Sequence, residues 1–234
     1  MTSLRAQKEG VHGGTTGSPV PRWATFDCYG TLVDWMGGIR RELARLWPEE
    51  DAEALLERYH ELEPQVQREA PGSSYREVMA RVLARIGEVP AGEEDALGRS
   101  LPHWDVFSEV PAALEEARRR GWHLAILSNT DPDFIAASIE RIGVPFEETV
   151  VASEIGSYKP AYRHWEEFFA RTGADPERHV HVAASLFHDV APATELGLRT
   201  IWINRLGERP GPEPTRELPK LDRLPDVLDE LVAG

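Results

Sequence analysis

Asp27 closes a short apolar run, Trp23-Ala24-Thr25-Phe26, and is followed at once by Cys28-Tyr29-Gly30-Thr31-Leu32. An apolar run that stops at a carboxylate and a glycine turn reads as a buried strand with an acid at its carboxyl end. Open α/β sheets keep their binding sites at that end. A carboxylate placed there can attack a substrate carbon and form an ester, splitting one displacement into two steps. Gly30 lets the backbone turn without a Cβ clash, and Thr31 can offer a hydroxyl into the same pocket. Taken alone, Asp27 also fits an acid that caps a loop.

Three later strand ends carry further candidate groups. Ser128-Asn129-Thr130 follows Trp122-His123-Leu124-Ala125-Ile126-Leu127, and Ser128 with the backbone N–H groups after it can bind a substrate oxygen. The same tripeptide is also an ordinary turn. Lys159-Pro160 follows Ser157-Tyr158. A lysine beside a carboxylate nucleophile would keep it ionised and neutralise an anionic substrate group. Asp189 closes the stretch Ala183-Ala184-Ser185-Leu186-Phe187-His188-Asp189, in which Ser185 and His188 are additional polar candidates.

The elements that must position these groups are legible from periodicity. Pro111 to Arg120 reads as a helix, with proline at its start and Gly121 past its end. Helices are also predicted over Phe134 to Ile142, Ala161 to Thr172, Val190 to Leu196 and Leu224 to Val232. Strands are predicted at Trp122 to Leu127, Thr149 to Val151, His179 to Ala183 and Thr200 to Ile203. This alternation implies βαβ units and a parallel, doubly wound α/β sheet. Residues 36–104 break the rhythm. Ile39, Leu43 and Leu46, then Leu55, Leu56, Tyr59 and Leu62, then Val78, Val82, Leu83 and Ile86 recur at helical spacing. The expected organisation is a disordered tail over 1–20, an α/β core over 21–35 and 105–234, and a helical insert over 36–104. From periodicity the insert suits either a cap over the site or a subdomain that only adds stability.

Composition narrows the function classes. The 234 residues carry a net charge of −14, which argues against nucleic-acid binding. No apolar run approaches the ~20 residues of a membrane span. Cys28 is the sole cysteine, so no internal disulfide can form, which fits a reducing cytoplasm. Its expected place is the core, because neighbours on a strand point to opposite faces. The glycine-rich start lacks the apolar segment of a secretory signal.

The segment Phe26-Asp27-Cys28-Tyr29-Gly30-Thr31-Leu32 resembles the first motif of the haloacid dehalogenase superfamily, and more narrowly its type II 2-haloacid dehalogenase branch. The resemblance extends from about Trp23 to Arg205 and implies a doubly wound core with an inserted helical cap. It implies Asp27, Lys159 and Asp189 as catalytic residues. Tyr29, Thr31, Arg58, Ser128, Asn129, Ser185 and His188 are the substrate-binding candidates. Arg58 falls at the spacing of a cap arginine that receives the halide, and Arg40, Arg41 and Arg45 are alternatives on an earlier helix.

Two departures from the metal-dependent phosphatases of that superfamily bear on mechanism. Those enzymes carry Gly-Asp where this chain has Ala183-Ala184, and the lost acid is one that binds Mg²⁺. They also place an acid two residues after the nucleophile to protonate an alkoxide, where this chain has Tyr29. Both losses suit a leaving group that needs no proton and a carbon that carries no charge. Two other positions depart from the dehalogenases. Leu186 replaces an Asn that orients water, and Trp165 replaces a Tyr. The reading is metal-independent hydrolysis of a small 2-halocarboxylate through an aspartyl ester, with no cofactor, a small-molecule carboxylate as partner, and no nucleic acid or membrane. It leaves open a different leaving group such as a strained ring amine, a phosphatase, a catalytically idle binding protein, and the oligomeric state, a homodimer included.

Overall fold

The apolar run that ends at Asp27 becomes the central strand of a six-stranded sheet in which every paired neighbour is parallel. The computed structural model describes residues 20–209 and 211–234; the expected tail, apart from Val20, lies outside them. In chain order, β1 is Arg22–Phe26, followed by α1 (Trp35–Leu46), α2 (Ala52–Glu69), α3 (Tyr75–Ile86) and α4 (Ala96–Ser100). The α/β part continues with α5 (Val110–Arg119), β2 (Trp122–Ser128), α6 (Pro132–Ile142), β3 (Glu148–Val151), α7 (Ala152–Ile155), α8 (Arg163–Thr172) and β4 (His179–Ala183). It closes with α9 (Ala191–Glu195), β5 (Arg199–Ile203), β6 (Arg216–Leu218) and α10 (Leu224–Leu231).

The spatial order is β3-β2-β1-β4-β5-β6. The chain builds outward from β1 on one side and then crosses to the other. The crevice between the carboxyl ends of β1 and β4 is therefore the switch point where such sheets bind ligands. Asp27 follows β1 there, and its N–H donates to the Val182 carbonyl at 3.1 Å. β1 is buried at all five positions, as a strand covered on both faces should be. Cys28 joins the core at 0% exposure, and burial pushes its thiol pKa well up, so it is packing and not a second nucleophile.

Two details differ from the sequence reading. The short edge strand β6 was not foreseen, because two of its three residues are exposed and polar. The helix expected from Val190 begins instead with a π-helical turn over Leu186–Val190 and continues as α9. Pro192, which has no N–H to donate, sits in the first turn of α9.

The insert is held to the core by a helix cap. Asp131, just after β2, accepts from Tyr75 N at 2.9 Å and Arg76 N at 3.0 Å. These are orphan donors at the start of α3, whose own cap is the reciprocal Ser74–Glu77 box. The contact fixes the start of α3, and so Tyr75, close to the end of β2.

Candidate active site

Three strand ends converge on one ammonium. Lys159 Nζ donates to Asp27 Oδ1 at 2.9 Å, to Asp189 Oδ1 at 2.6 Å and to the Leu127 carbonyl at 2.8 Å. The lysine is 2% exposed, so all three donors are spent inside the protein. Burial alone would strip its proton, but Asp189 and Asp27 outweigh that and raise its pKa. Asn129 positions it with two hydrogen bonds: Lys159 N donates to Asn129 Oδ1 at 2.6 Å, and Asn129 Nδ2 donates back to the Lys159 carbonyl at 3.0 Å.

The two carboxylates that share the ammonium are driven apart. Asp27 has its pKa raised, chiefly by burial and further by Asp189, against the pull of Lys159. Burial acts on Asp189 in the same sense, but Lys159 and His181 overcome it and hold its pKa well below the usual carboxylate range. His181 lies 2.9 Å from Asp189 Oδ1 through Nε2, and its Nδ1 lies 2.8 Å from Thr25 Oγ1. Thr25 Oγ1 in turn lies 2.8 Å from His179 Nε2. Asp189 Oδ2 is buried without a protein partner.

Thr31 does not reach the cavity as expected. It is fully buried, donates to Asp27 Oδ2 at 2.8 Å and accepts from Ala184 N at 2.9 Å. Its role is to hold the carboxylate in place. Gly30, at φ +91°, makes the turn that puts Thr31 there, a conformation a side chain would strain.

A cavity of about 290 Å³ opens over this cluster. Asp27, Tyr29, Ser128, Asn129, Lys159, Ser185, His188 and Asp189 line its floor. Ser128 Oγ has no protein partner and is free for a substrate oxygen. His188 receives a brace from Ser185, whose Oγ accepts from His188 N at 3.0 Å. Burial lowers the His188 pKa, so its imidazole is neutral near pH 7.

Arg58 corrects the sequence reading. It is exposed, its Nη2 donates to the Arg85 carbonyl at 3.2 Å, and it does not line the cavity. Arg40, Arg41 and Arg45 do not line it either, and pair with Glu53, Asp105, and Glu42 with Glu93. Trp165 is buried beneath the site, edge-on to the His181 ring at 5.2 Å. The helices α1, α2 and α3 supply residues not foreseen: Trp35, His60, Glu63, Pro64, Gln67 and Tyr75. A signal for two of them existed. Glu63 and Gln67 follow Tyr59 at i+4 and i+8, on the buried face of α2.

Glu63 is 7% exposed, and no cation pairs with it among the described residues. Burial raises its pKa to about 7, against the small opposing effect of the Tyr75 hydroxyl. A group with a raised folded pKa stabilises the fold least when the pH exceeds that value. The cost is absent below the ordinary 4.5 and complete above about 7. Glu63→Gln should therefore raise the melting temperature at pH 8, by up to ~5–10 °C for a cost of roughly 2–3 kcal/mol. The gain should shrink towards pH 5. A gain that is equal at both pH values would show that Glu63 does not titrate in this range.

Mg²⁺ does not fit this constellation. The residue that would supply the second acid is Ala184, and Asp27 and Asp189 are already bridged by Lys159. Among the described residues no group of three or more His, Cys, Asp or Glu is arranged to hold a metal ion. Among them, too, no helix is long and apolar enough to cross a membrane.

Residues 21–197 match the family model for haloacid dehalogenase-like hydrolases. The chain belongs to that family. Over 229 residues this hydrolase is 31% identical to the (S)-2-haloacid dehalogenase of Pseudomonas sp. (strain YL), covering 89% of this chain and 94% of that one. It is also 30% identical over 216 residues to a phosphoserine phosphatase of Thermus thermophilus, covering 90% of this chain and 72% of the relative. Its fold matches the structure of L-2-haloacid dehalogenase from Xanthobacter autotrophicus with a TM-score of 0.78 at 18% identity, over 89% of this chain and 98% of that one. The hydrolase thus has relatives of both kinds, dehalogenases and phosphatases.

Proposed function

We propose that this hydrolase cleaves small 2-substituted carboxylates, 2-haloacids foremost, through an ester on Asp27 and without a metal. The observation that carries the reading is the pairing of Asp27 with Lys159 at 2.9 Å beside a cavity whose metal-acid and leaving-group-acid positions are Ala184 and Tyr29. The ammonium keeps enough of the buried carboxylate ionised to attack, even though burial raises its pKa.

In the first step an Asp27 oxygen bonds to C2 as the C2–halogen bond breaks, and the halide leaves with the bonding electrons. Ser128 Oγ and the N–H groups after it hold the substrate carboxylate. In the second step water adds to the Asp27 ester carbonyl. Asp189 Oδ2 orients that water, and His188 takes its proton. A carboxylate held as far down as Asp189 is a poor base, while a neutral imidazole in the same cavity is a better one. Collapse expels the alkoxide of the product, which takes the proton from His188 to become a 2-hydroxy acid, and the Asp27 carboxyl loses its remaining proton to solvent and is restored. The helical insert acts as a cap that keeps bulk water from the ester.

The sequence similarity to phosphatases makes the leaving group the point to test. Single turnover of 2-chloropropanoate in ¹⁸O-water, with and without chelator, should release chloride in both cases and place the label in Asp27 before any reaches the product. Label appearing directly in lactate would rule out the ester. Phosphate release from a phosphomonoester that needs added Mg²⁺ would move the assignment to a phosphatase.

A further inference from the structure

The cap side of the cavity is built unlike the floor. Trp35 and Tyr75 present aromatic rings to it, next to Tyr29 of the floor, and Glu63 presents a carboxyl group. The Trp35 and His60 rings stack at 4.9 Å with planes 5° apart, Trp35 Nε1 donates to Tyr75 Oη at 3.0 Å, and Tyr29 stacks on Tyr75 at 6.5 Å. These contacts fix the ring orientations. The floor already carries a net negative charge, because two carboxylates share one ammonium. His60 and His188 add no positive charge near pH 7, since burial lowers both pKa values. Among the described residues, then, no free cation lines the cavity, and the arginines that could have received an anion lie elsewhere.

A carboxyl group beside aromatic faces is what recognises an ammonium ion, through charge and through the ring quadrupoles. We propose that Glu63 and the rings beside it bind a positively charged nitrogen of the substrate, so that the favoured substrates are 2-substituted carboxylates that also carry an ammonium group. This rests on the ester reading of the same cavity, and adds to it which carboxylates enter. Such a substrate supplies the cation that Glu63 lacks, while its own carboxylate goes to Ser128. The groups around Glu63 supply no competing cation. They are Tyr59 on its own helix, Tyr75 on α3 and Tyr158 on the approach to α8, with His60 lining the same cavity. Across the cavity, Lys159 is committed to Asp27 and Asp189.

The pKa of about 7 gives the proposal a second observable. An arriving ammonium favours the ionised carboxyl, so Glu63 should release a proton on binding at pH 7; an arriving anion should do the opposite.

The test uses stable analogues of the hydrolysis products, 4-amino-2-hydroxybutanoate and 2-hydroxybutanoate. Each is titrated calorimetrically into the full-length protein at pH 7, in two buffers of different ionisation enthalpy. The amino acid should bind ~10- to 10²-fold more tightly, the size of one buried charge-assisted contact, and with proton release. Glu63→Gln should abolish the preference and the proton release, and Glu63→Asp should retain the sign of both. Equal binding of the two acids, proton uptake with both, or a preference that survives Glu63→Gln would overturn the proposal. If that happens while 2-chloropropanoate still labels Asp27, the ester reading stands alone. If neither acid binds and no ester forms, both readings fall.

Discussion

Asp27→Asn should abolish turnover, by ~10⁴-fold or more, and leave the fold intact. The size follows from the proposed mechanism, in which Asp27 makes and breaks the covalent bond. The retained fold follows from the site itself. The amide keeps the shape of the carboxylate, can still accept from Thr31 or Lys159, and carries no charge to desolvate. Lys159 keeps Asp189 as its counter-ion at 2.6 Å. Since burial makes the ionised form of Asp27 costly, the variant should melt at or slightly above the wild-type temperature. Melting and single-turnover halide release, measured on the same preparation, decide the matter. Near-normal turnover would show that water attacks the substrate without help from Asp27.

Lys159→Met should damage both stability and rate. It removes the cation from a buried pair of carboxylates, and breaking a buried ion pair costs ~3–5 kcal/mol, or ~10 °C in a chain of this size. Without the ammonium, Asp27 loses the partner that opposes its desolvation, and its pKa rises further. In the proposed mechanism the reactive form is the ionised one, so the remaining activity should increase more steeply with pH than that of the wild type. The loss near pH 7 should be ~10²-fold or more. A variant with an unchanged melting temperature and a flat pH profile would show that the ammonium does not sustain the nucleophile.

The floor of the site was legible because each of its residues is announced locally. Asp27 and Ser128 come at or just past the end of an apolar strand, and the parallel register carries both to one edge of the sheet. Asp189 and Lys159 lie on the segments around β4 and β3 that the same topology folds over that edge. The helical side of the cavity was not legible, for reasons of angle. Each residue of a helix turns the side chain by ~100°, so a spacing carried across two helices and a loop does not fix which way Arg58 points. The apolar pattern also departs from the buried face there. Leu62 was counted on the buried stripe of α2 and is only half-buried, while Glu63 next to it is buried. A carboxylate on a buried helical face breaks the binary pattern, and such breaks collect at functional sites.

The row of hydrogen bonds behind Asp189 has a polarity. An ionised Asp189 can only accept, so His181 gives it Nε2–H, and in the neutral form of that ring Nδ1 is then bare. Thr25 must then point its hydroxyl hydrogen at that bare nitrogen, and its oxygen must take the Nε2–H of His179. The remaining nitrogen of His179, Nδ1, is buried without a partner, which an unprotonated nitrogen tolerates better than an N–H would. One negative charge in the crevice thus dictates the tautomers of two imidazoles and the rotor of one hydroxyl across two adjacent strands. Were Asp189 ever to take up a proton, the row would lose its reason to run in one direction, and the strands under Asp27 would share the disturbance.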